Sequence, residues 1–336
     1  MNVLGIESSC DETSVAVISD DKLTANLISS QDFHSKYGGV VPELSSRAHL
    51  QIVIPLLKDA LAKSNLELKD IDIICATAGP GLIGALLVGL TFAKGLAYSL
   101  NKKFIAVNHI EGHIFSGFLM EEKPEFPFLA LVVSGGHTLL LLVKDFMNIK
   151  KLGSTVDDAA GEAFDKVSKM LGLGYPGGPK IQQFALRGNE DMINFPVADL
   201  RNSFNFSFSG LKTSVLRYIQ KNFSGEKIPE NDLNDIAASF QKAVVKALIK
   251  NAEKALNEFE VKSICLVGGV AANKSLRNAV ILLGERFNKK VVIPGMEFCG
   301  DNAAMIAFRG QKLFENGTTS SLDVSPFPGL SDDIFS

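Results

Sequence analysis

Short apolar runs separated by polar turns mark much of the chain. Two pairs of strands are predicted from these runs, at 3–6 and 15–18 and at 128–133 and 139–143. The first turn, 7–14, is rich in hydroxyls and carboxylates, and the second, 134–138, contains Gly-Gly. Two such units indicate a duplicated architecture. In such a chain both turns can offer backbone N–H groups to the phosphates of a nucleotide.

Between and after these pairs, further strands alternate with helical patterns. Strands are predicted at 73–76, 104–107, 263–267 and 291–293, and helices at 82–100, 155–171 and 232–257. The strand at 263–267 runs into Gly268-Gly269 and a helix start, a common place for a nucleotide to bind. Residues 204–213 alternate aromatic and polar side chains and predict a half-buried edge strand.

One apolar segment tests whether the protein is soluble. Between 71 and 93 the only charged residue is Asp72, so the stretch is long enough to span a membrane. Gly79-Pro80-Gly81 divides it, however, and Gly and Pro are strong breakers of regular structure. The pattern therefore predicts a buried strand followed by a buried helix, with no membrane association.

The segment from Asn108 to His113 carries the first candidate chemistry. Asn108 follows the strand at 104–107 and is a candidate N-cap, with Glu111 three residues later as in a capping box. In a helix, His109 and His113 lie one turn apart on the same face, and such pairs commonly hold a metal ion. The alternative is that both are core or surface residues with no ligand.

A metal site here needs a third ligand from elsewhere in the chain. A zinc protease would have the order His-Glu-x-x-His, which differs from the order in this sequence. Asp301, near the start of the last predicted helix, is the candidate third ligand, and its alternative role is to cap that helix. Cys299 is a softer rival for the same position.

Length and composition narrow the class of protein. A chain of 336 residues that is 46% hydrophobic and 21% charged is globular and long enough for two domains. Its net charge of −3 gives no overall field that would attract nucleic acid or anionic lipid. Four cysteines without paired spacing predict reduced thiols in a cytoplasmic protein, and the early carboxylates argue against a signal peptide.

Together the motifs resemble one family, TsaD, the catalytic subunit of tRNA adenosine threonylcarbamoyltransferase, in its bacterial branch and once named a sialoglycoprotein endopeptidase. The resemblance covers nearly the whole chain. The motifs that carry it are Gly5-Ile-Glu-Ser-Ser-Cys-Asp-Glu-Thr13, Tyr37-Gly-Gly-Val-Val-Pro-Glu43, Gly79-Pro-Gly-Leu82, His109-Ile-Glu-Gly-His113, Val133-Ser-Gly-Gly-His-Thr138, Gly161-Glu-Ala-Phe-Asp-Lys166 and Gly268-Gly-Val-Ala-Ala-Asn273.

The resemblance implies an α/β, actin-like and sugar-kinase-like (ASKHA) fold of two lobes with duplicated βββαβα cores and a nucleotide between them. Lobe I would comprise 1–125 with a C-terminal helix at 302–325, and lobe II would comprise 126–301. The implied enzyme is an acyltransferase. It moves the threonylcarbamoyl group of threonylcarbamoyl-AMP to N6 of adenosine 37, in tRNAs that read codons beginning with A, and it releases AMP.

The resemblance also implies a set of site residues. His109, His113 and Asp301 would hold one divalent ion, Fe²⁺ or Zn²⁺. An adenine nucleotide, either ATP or threonylcarbamoyl-AMP, would be bound by Val132, Val133, Ser134, Gly135, Gly136, Asp165, Gly178 and Asn273. Asp11, in the first turn, is the candidate base or orienting group for the attacking amine. From the residues alone, an exposed helix carboxylate is the ordinary interpretation of Asp165.

A tRNA-modifying enzyme needs basic surface, which this slightly acidic chain lacks overall. A local patch is one solution, with Lys36, Arg47, Lys102 and Lys103 as candidates. The other is partner proteins, and the resemblance implies a TsaB-like paralogue and a TsaE-like ATPase. Two other functions fit the fold: a small-molecule kinase that needs ATP and Mg²⁺, and a nucleotide-dependent regulatory or scaffold protein.

Overall fold

The computed structural model describes residues 1–201, 203–223, 225–329 and 335. By backbone contacts the chain groups into two compact units. The first is Met1–Lys123 with Pro294–Ser336, and the second is Pro124–Ile293. The predicted lobes differ mainly at 294–301, which the prediction assigns to lobe II and which groups here with the first unit. The predicted lobe boundaries stay a prediction.

The strands are β1 (Asn2–Glu7), β2 (Glu12–Ser19), β3 (Lys22–Ser30), β4 (Ile73–Gly79), β5 (Lys103–Asn108), β6 (Phe128–Val133), β7 (Thr138–Val143), β8 (Ile149–Ser154), β9 (Ser263–Val267) and β10 (Lys290–Val292). The α-helices are α1 (Pro42–Ser64), α2 (Ile83–Leu100), α3 (His109–Phe115), α4 (Ala160–Met170), α5 (Gly177–Ala185), α6 (Ser209–Phe223), α7 (Glu230–Glu258), α8 (Lys274–Phe287), α9 (Met296–Cys299) and α10 (Ala303–Glu315). Short 3₁₀ helices span Asp32–Tyr37, Leu68–Asp70, Ser116–Leu119 and Gly269–Ala272.

Each unit is built on a mixed sheet, and the two sheets have the same topology. The first has strand order β3-β2-β1-β4-β5 and the second β8-β7-β6-β9-β10. In both, three antiparallel strands are followed by two strands that pair in parallel. A parallel pair needs a crossover connection, which the helices provide. The predicted duplicated α/β fold is therefore confirmed.

Four of the inner strands are buried along their whole length and are mostly apolar. Every residue of β4, β6, β7 and β9 is buried. Strands covered on both faces are expected to be continuously apolar rather than alternating, which is how these segments appear in the sequence. That is why the simple apolar runs predicted them well.

Helix α2 is long and apolar enough to cross a membrane by those two measures alone. One third of its residues are buried, including Ala85, Leu86 and Leu90. It packs on β4 and α1, as the core helix of a globular unit does. The predicted order of strand, glycine turn and helix is thus observed for this segment.

In the second unit one predicted helix is observed with a later start, and one predicted strand is wrong. The helix predicted at 155–171 begins only at Ala160, because Thr155 hydrogen-bonds through its backbone N–H to Thr138. The strand predicted at 204–213 is replaced by a single bridge between Thr155 and Phe206, followed by α6. The Asp157 carboxylate accepts the N–H groups of Phe208 and Ser209 at the start of this helix, which is the role of an N-terminal cap.

Candidate metal centre and phosphate-binding turns

Helix α3 begins where the sequence predicts it. The Asn108 side chain accepts the backbone N–H groups of Ile110 at 2.8 Å and Glu111 at 3.2 Å, so Asn108 is the N-cap. The predicted capping box is wrong. The Glu111 carboxylate instead accepts a hydrogen bond from Nε of Arg309 in α10, at 2.6 Å. This buried ion pair joins the helix that carries the histidines to α10.

His109 and His113 lie together on one face of α3, with ring centroids 4.7 Å apart. Asp301 lies just before α10, whose N-cap is Asn302; the Asn302 side chain accepts the N–H of Met305. Asp301 is therefore not needed as a cap. Its Oδ1 lies 3.4 Å from Nε2 of His109 and 3.1 Å from Nε2 of His113.

The three side chains lie close enough together to hold a cation. One ligand atom from each lies within 4.8 Å of the others. Ligands about 2.0–2.1 Å from a tetrahedral zinc ion are separated from one another by roughly 3.3 Å, close to the observed 3.1 and 3.4 Å. Cys299, the rival ligand, is buried, and its thiol donates to the Pro294 carbonyl.

Neighbouring charges shift the pKa values of His109 and Asp301 in opposite directions. Burial alone would lower the pKa of His109, but the Asp301 and Glu7 carboxylates raise it well above its ordinary value. Burial would likewise raise the pKa of Asp301, and the two histidines hold it well below its usual range. A site that favours positive charge on a histidine beside two carboxylates also favours a divalent cation.

The first turn reaches the histidine pair. The Ser9 hydroxyl lies 3.3 Å from Nδ1 of His109, and Asp11 is half-buried in the same turn. The Ser9 carbonyl accepts the N–H of Leu82 at 2.8 Å. A Cβ atom on Gly81 would lie 2.6 Å from that carbonyl oxygen, so glycine permits the close approach. The structure thus brings Asp11, His109, His113 and Asp301 into one region of the first unit.

Sequence analysis missed two carboxylates in this region. Glu7 is fully buried at the end of β1 and lies 3.2 Å from Nδ1 of His109. Glu12 begins β2, and burial, followed by the charges of Asp301 and Asp11, raises its pKa to about 9. In sequence both belong to a polar turn that looks solvated, whereas the fold buries Glu7 fully and Glu12 in part.

The turn is also held from α1. The Cys10 carbonyl accepts hydrogen bonds from the hydroxyl of Ser45 and from Nε2 of His49, the latter at 3.1 Å. The Nδ1 atom of His49 lies 2.7 Å from the Thr13 hydroxyl. His49 therefore joins two points of the turn that flank Asp11.

In the second unit the Gly-Gly turn packs against the start of α4. The N–H of Gly161 donates to the Ser134 carbonyl at 3.3 Å. A Cβ atom on Gly161 would lie 2.5 Å from that oxygen, and one on Gly268 would lie 2.5 Å from the Val133 carbonyl oxygen. The side chains of Val132 and Val133 are fully buried, so only their backbone can face a ligand. Gly135 and Gly136 are exposed at the tip.

The other predicted nucleotide residues lie nearby in sequence and fold. Asp165 in α4 accepts the N–H of Gly177 at 2.6 Å, which places it beside Gly178 at the start of α5. Asn273 is the N-cap of α8, with Oδ1 accepting the N–H of Leu276. Its amide nitrogen donates to Gln241 at 2.7 Å. Both side chains already have structural partners, and their contact with a nucleotide stays a prediction.

Comparison with known proteins identifies the family. The family model described as "TsaD: tRNA N6-adenosine threonylcarbamoyltransferase" matches residues 22–308. The chain belongs to the TsaD family. A relative from Thermosipho africanus with the name tRNA N6-adenosine threonylcarbamoyltransferase is 53% identical, with 98% of this chain and 99% of that protein covered. A relative of the same name from Kosmotoga olearia is 49% identical, with 98% and 99% covered.

Solved structures support the fold that TsaD membership implies. HypF from T. kodakarensis superposes with a TM-score of 0.64 at 18% identity, covering 94% of this chain and 48% of HypF. The Acidaminococcus fermentans (R)-2-hydroxyglutaryl-CoA dehydratase component A gives a TM-score of 0.55 at 15% identity, covering 93% and 98%. At such identities the likeness concerns the fold alone, and it agrees with the predicted ASKHA class. The family match favours a transferase over the kinase and scaffold alternatives.

Proposed function

We propose that this chain transfers the threonylcarbamoyl group of threonylcarbamoyl-AMP to N6 of adenosine 37, in tRNAs that read codons beginning with A. The observation that carries the proposal is the match to the TsaD family over nearly the whole chain. In the reaction the N6 amine forms a bond to the carbamoyl carbon, the bond from that carbon to the phosphate oxygen breaks, and AMP leaves. The amine loses one proton.

The metal centre of this proposal consists of His109, His113 and Asp301, holding Fe²⁺ or Zn²⁺. Their spacing and their mixture of imidazole and carboxylate donors suit either ion. When bound, such an ion supplies Lewis-acid polarisation and orientation at the threonylcarbamoyl end of the adenylate. The Nε2 atom of His113 faces Asp301 at 3.1 Å, while its buried Nδ1 has no hydrogen-bond partner among the described residues.

Asp11 is the proposed acceptor or orienting group for the proton of the attacking amine. It belongs to the turn that reaches His109 through Ser9, and that turn is fixed on both sides of Asp11 by His49. A fixed carboxylate can orient an amine at low entropic cost. The proposal predicts that Asp11→Asn keeps adenylate binding and loses most of the transfer rate.

The adenine nucleotide is proposed to bind the second unit. The N–H groups and glycines of the turn at 134–136 suit phosphate oxygens. Asp165 and Gly178 are proposed to hold the ribose, and Asn273 to lie on the adenine side. Exposure of Gly135 and Gly136 supports a turn that is accessible to a ligand.

tRNA is the proposed substrate, with a TsaB-like paralogue and a TsaE-like ATPase as partners in the cytoplasm. Of the candidate basic residues, Arg47 pairs with Glu43 and Lys102 donates to the Lys69 carbonyl. Lys36 and Lys103 are exposed. Four such residues are a small basic surface for tRNA, which supports a contribution from partner proteins.

An apolar groove of about 540 Å³ between α1 and α2 supports a protein partner on the first unit. Leu50, Ile54 and Leu87 line it and are 63%, 49% and 46% exposed. Exposed apolar patches of this kind mark interaction surfaces. We expect Leu87→Glu to abolish co-elution with a TsaB-like paralogue, whereas Tyr98→Glu, on the same helix outside the groove, should not. Co-elution of both variants would contradict this assignment.

The decisive experiment supplies threonylcarbamoyl-AMP, labelled in the threonine, with unmodified tRNA and the partner proteins. Label is expected in tRNA at adenosine 37, with one AMP released per transfer. His113→Ala should contain no stoichiometric metal by elemental analysis. His34→Gln, at a buried histidine of the same unit that is not among the three candidate ligands, should keep it. Absence of label from tRNA with all partners present would refute the transferase.

A further inference from the structure

Glu7 is a buried carboxylate to which the reaction proposed above assigns no part. It is the last residue of β1 and has no exposed surface. Three groups meet it: the backbone N–H of Ser9, the hydroxyl of Thr77, and Nδ1 of His109 at 3.2 Å. A fully buried carboxylate is costly unless it is paired and hydrogen-bonded, so a position of this kind needs a reason.

The contacts of His109 distinguish its two ring nitrogens. Nδ1 faces Glu7, while Nε2 faces Asp301 Oδ1, which His113 also meets. A carboxylate only accepts hydrogen bonds, so Nδ1 keeps its proton beside Glu7, whereas a cation bound between His109 and Asp301 would take the place of a proton on Nε2. The lone pair of a neutral His109 then lies on Nε2, directed toward the candidate metal position. The contact with Glu7 therefore selects the tautomer that a metal ligand needs.

We propose that Glu7 is a positioning residue of the metal centre, which orients His109 and fixes its tautomer by accepting the Nδ1 proton. This inference rests on the proposed metal centre and adds to it a residue that no ligand motif identifies. Metal-binding histidines generally donate their second ring nitrogen to a carboxylate or carbonyl, and loss of that partner weakens metal binding.

Glu7 is itself held rigidly, which is necessary if it is to orient a ring. Thr77, near the end of β4, donates its hydroxyl to Oε2, the same oxygen that meets His109. The parallel pairing of β1 and β4 fixes the distance between Glu7 and Thr77. The Ser9 N–H occupies Oε1. The same carboxylate thus connects the metal ligand His109 to the first turn.

The test measures metal affinity rather than activity. Wild type, Glu7→Gln, Thr77→Val and Glu43→Gln are stripped of metal and titrated with Zn²⁺ against a chelating dye. Co²⁺ absorption spectra then report the geometry of the ligands. Glu7→Gln should bind one ion with roughly 10–100-fold weaker affinity and an altered Co²⁺ spectrum. Glu43 is exposed, and its ion-pair partner is Arg47 rather than a residue of the cluster, so its variant should match wild type.

Separate outcomes distinguish the inference from the metal centre itself. If wild type binds an ion that His113→Ala does not, and folded Glu7→Gln binds as tightly as wild type, the role of Glu7 is refuted alone. If His113→Ala and Asp301→Asn bind as wild type does, the metal centre is refuted and this role with it. Should Glu7→Gln not fold, Thr77→Val decides: it must weaken Zn²⁺ binding by about threefold, and unchanged affinity overturns the inference.

Discussion

The hydrogen bond between Thr13 and His49 helps to hold the first turn, and its removal tests how much it stabilises the fold. His49 has no exposed surface, and its Nε2 faces the Cys10 carbonyl at 3.1 Å. A carbonyl only accepts, so Nε2 carries the proton and Nδ1 accepts the proton of the Thr13 hydroxyl at 2.7 Å. Thr13→Val removes this donor while keeping the shape of the side chain.

The expected magnitudes follow from burial. Thr13→Val leaves a buried ring nitrogen without its donor, which should cost about 1–3 kcal/mol of unfolding free energy. His49→Leu removes two hydrogen bonds and leaves the Thr13 hydroxyl buried, and should cost about 2–4 kcal/mol. Replacing both partners by apolar groups avoids the orphaned group. The double variant should therefore lose less unfolding free energy, by about 1–2 kcal/mol, than the sum of the losses in the two single variants.

Urea unfolding of the four proteins, followed by circular dichroism, measures this coupling. The same series across pH tests the charge state. Burial lowers the pKa of His49, so its neutral form stabilises the fold fully above its ordinary value of about 6.5. That contribution is lost as the pH falls through the folded value, and His49→Leu should lack this part of the acid destabilisation. Additive single effects, or an unchanged acid response in His49→Leu, would refute the reasoning.

Three further predictions concern the second unit and the metal centre. Burial favours a higher pKa for Asp158, but hydrogen bonds from Lys166 and Lys212 outweigh it, so the pKa lies below its ordinary value. Asp158→Asn should therefore cost about 1–3 kcal/mol of unfolding free energy, measured with urea at pH 7. The difference from wild type should shrink as the wild-type carboxyl protonates below about pH 4. Gly161→Ala forces a Cβ to 2.5 Å from a backbone oxygen and should lower the melting temperature. Gly210→Ala, in α6 with no atom near its Cβ, should not lower it. Zn²⁺ at about 100 times its dissociation constant should stabilise wild type by about 2.7 kcal/mol and leave His113→Ala unchanged.

The sequence predicted strands best where both of their faces are covered. β3 and β8 were missed, and both lie at an edge of their sheet. Their residues are a mixture of buried, half-buried and exposed positions, as in Lys22–Ser30. Such a strand shows neither a continuous apolar run nor a strict alternation. Its structure depends on pairing with β2 or β7, which a local pattern does not contain.

Helix α6 shows the opposite limitation. The aromatic–polar alternation at 204–208 is real, but these residues pack as an irregular segment before the helix. Asp157 caps that helix from about fifty residues earlier in the chain. A cap supplied by a distant segment leaves no local signature in the sequence. The alternating pattern therefore led to the prediction of a strand where the helix begins.

The candidate metal centre could likewise be predicted only in part from local sequence patterns. His109 and His113 are four residues apart, so the helical period alone places them on one face. Asp301 stands 188 residues from His113, and no spacing rule connects them. Both Asp301 and Asn302 are good helix caps by residue type, so the sequence leaves either one available. The fold decides between them, because the side chain of Asn302 accepts the N–H of Met305 while that of Asp301 turns to the histidines. The capping amide thus leaves the carboxylate at 301 available to bind a cation, and exchanging the two residues should keep a cap at 302 and remove the charged ligand at 301, which weaker Zn²⁺ binding without a loss of folding stability would show.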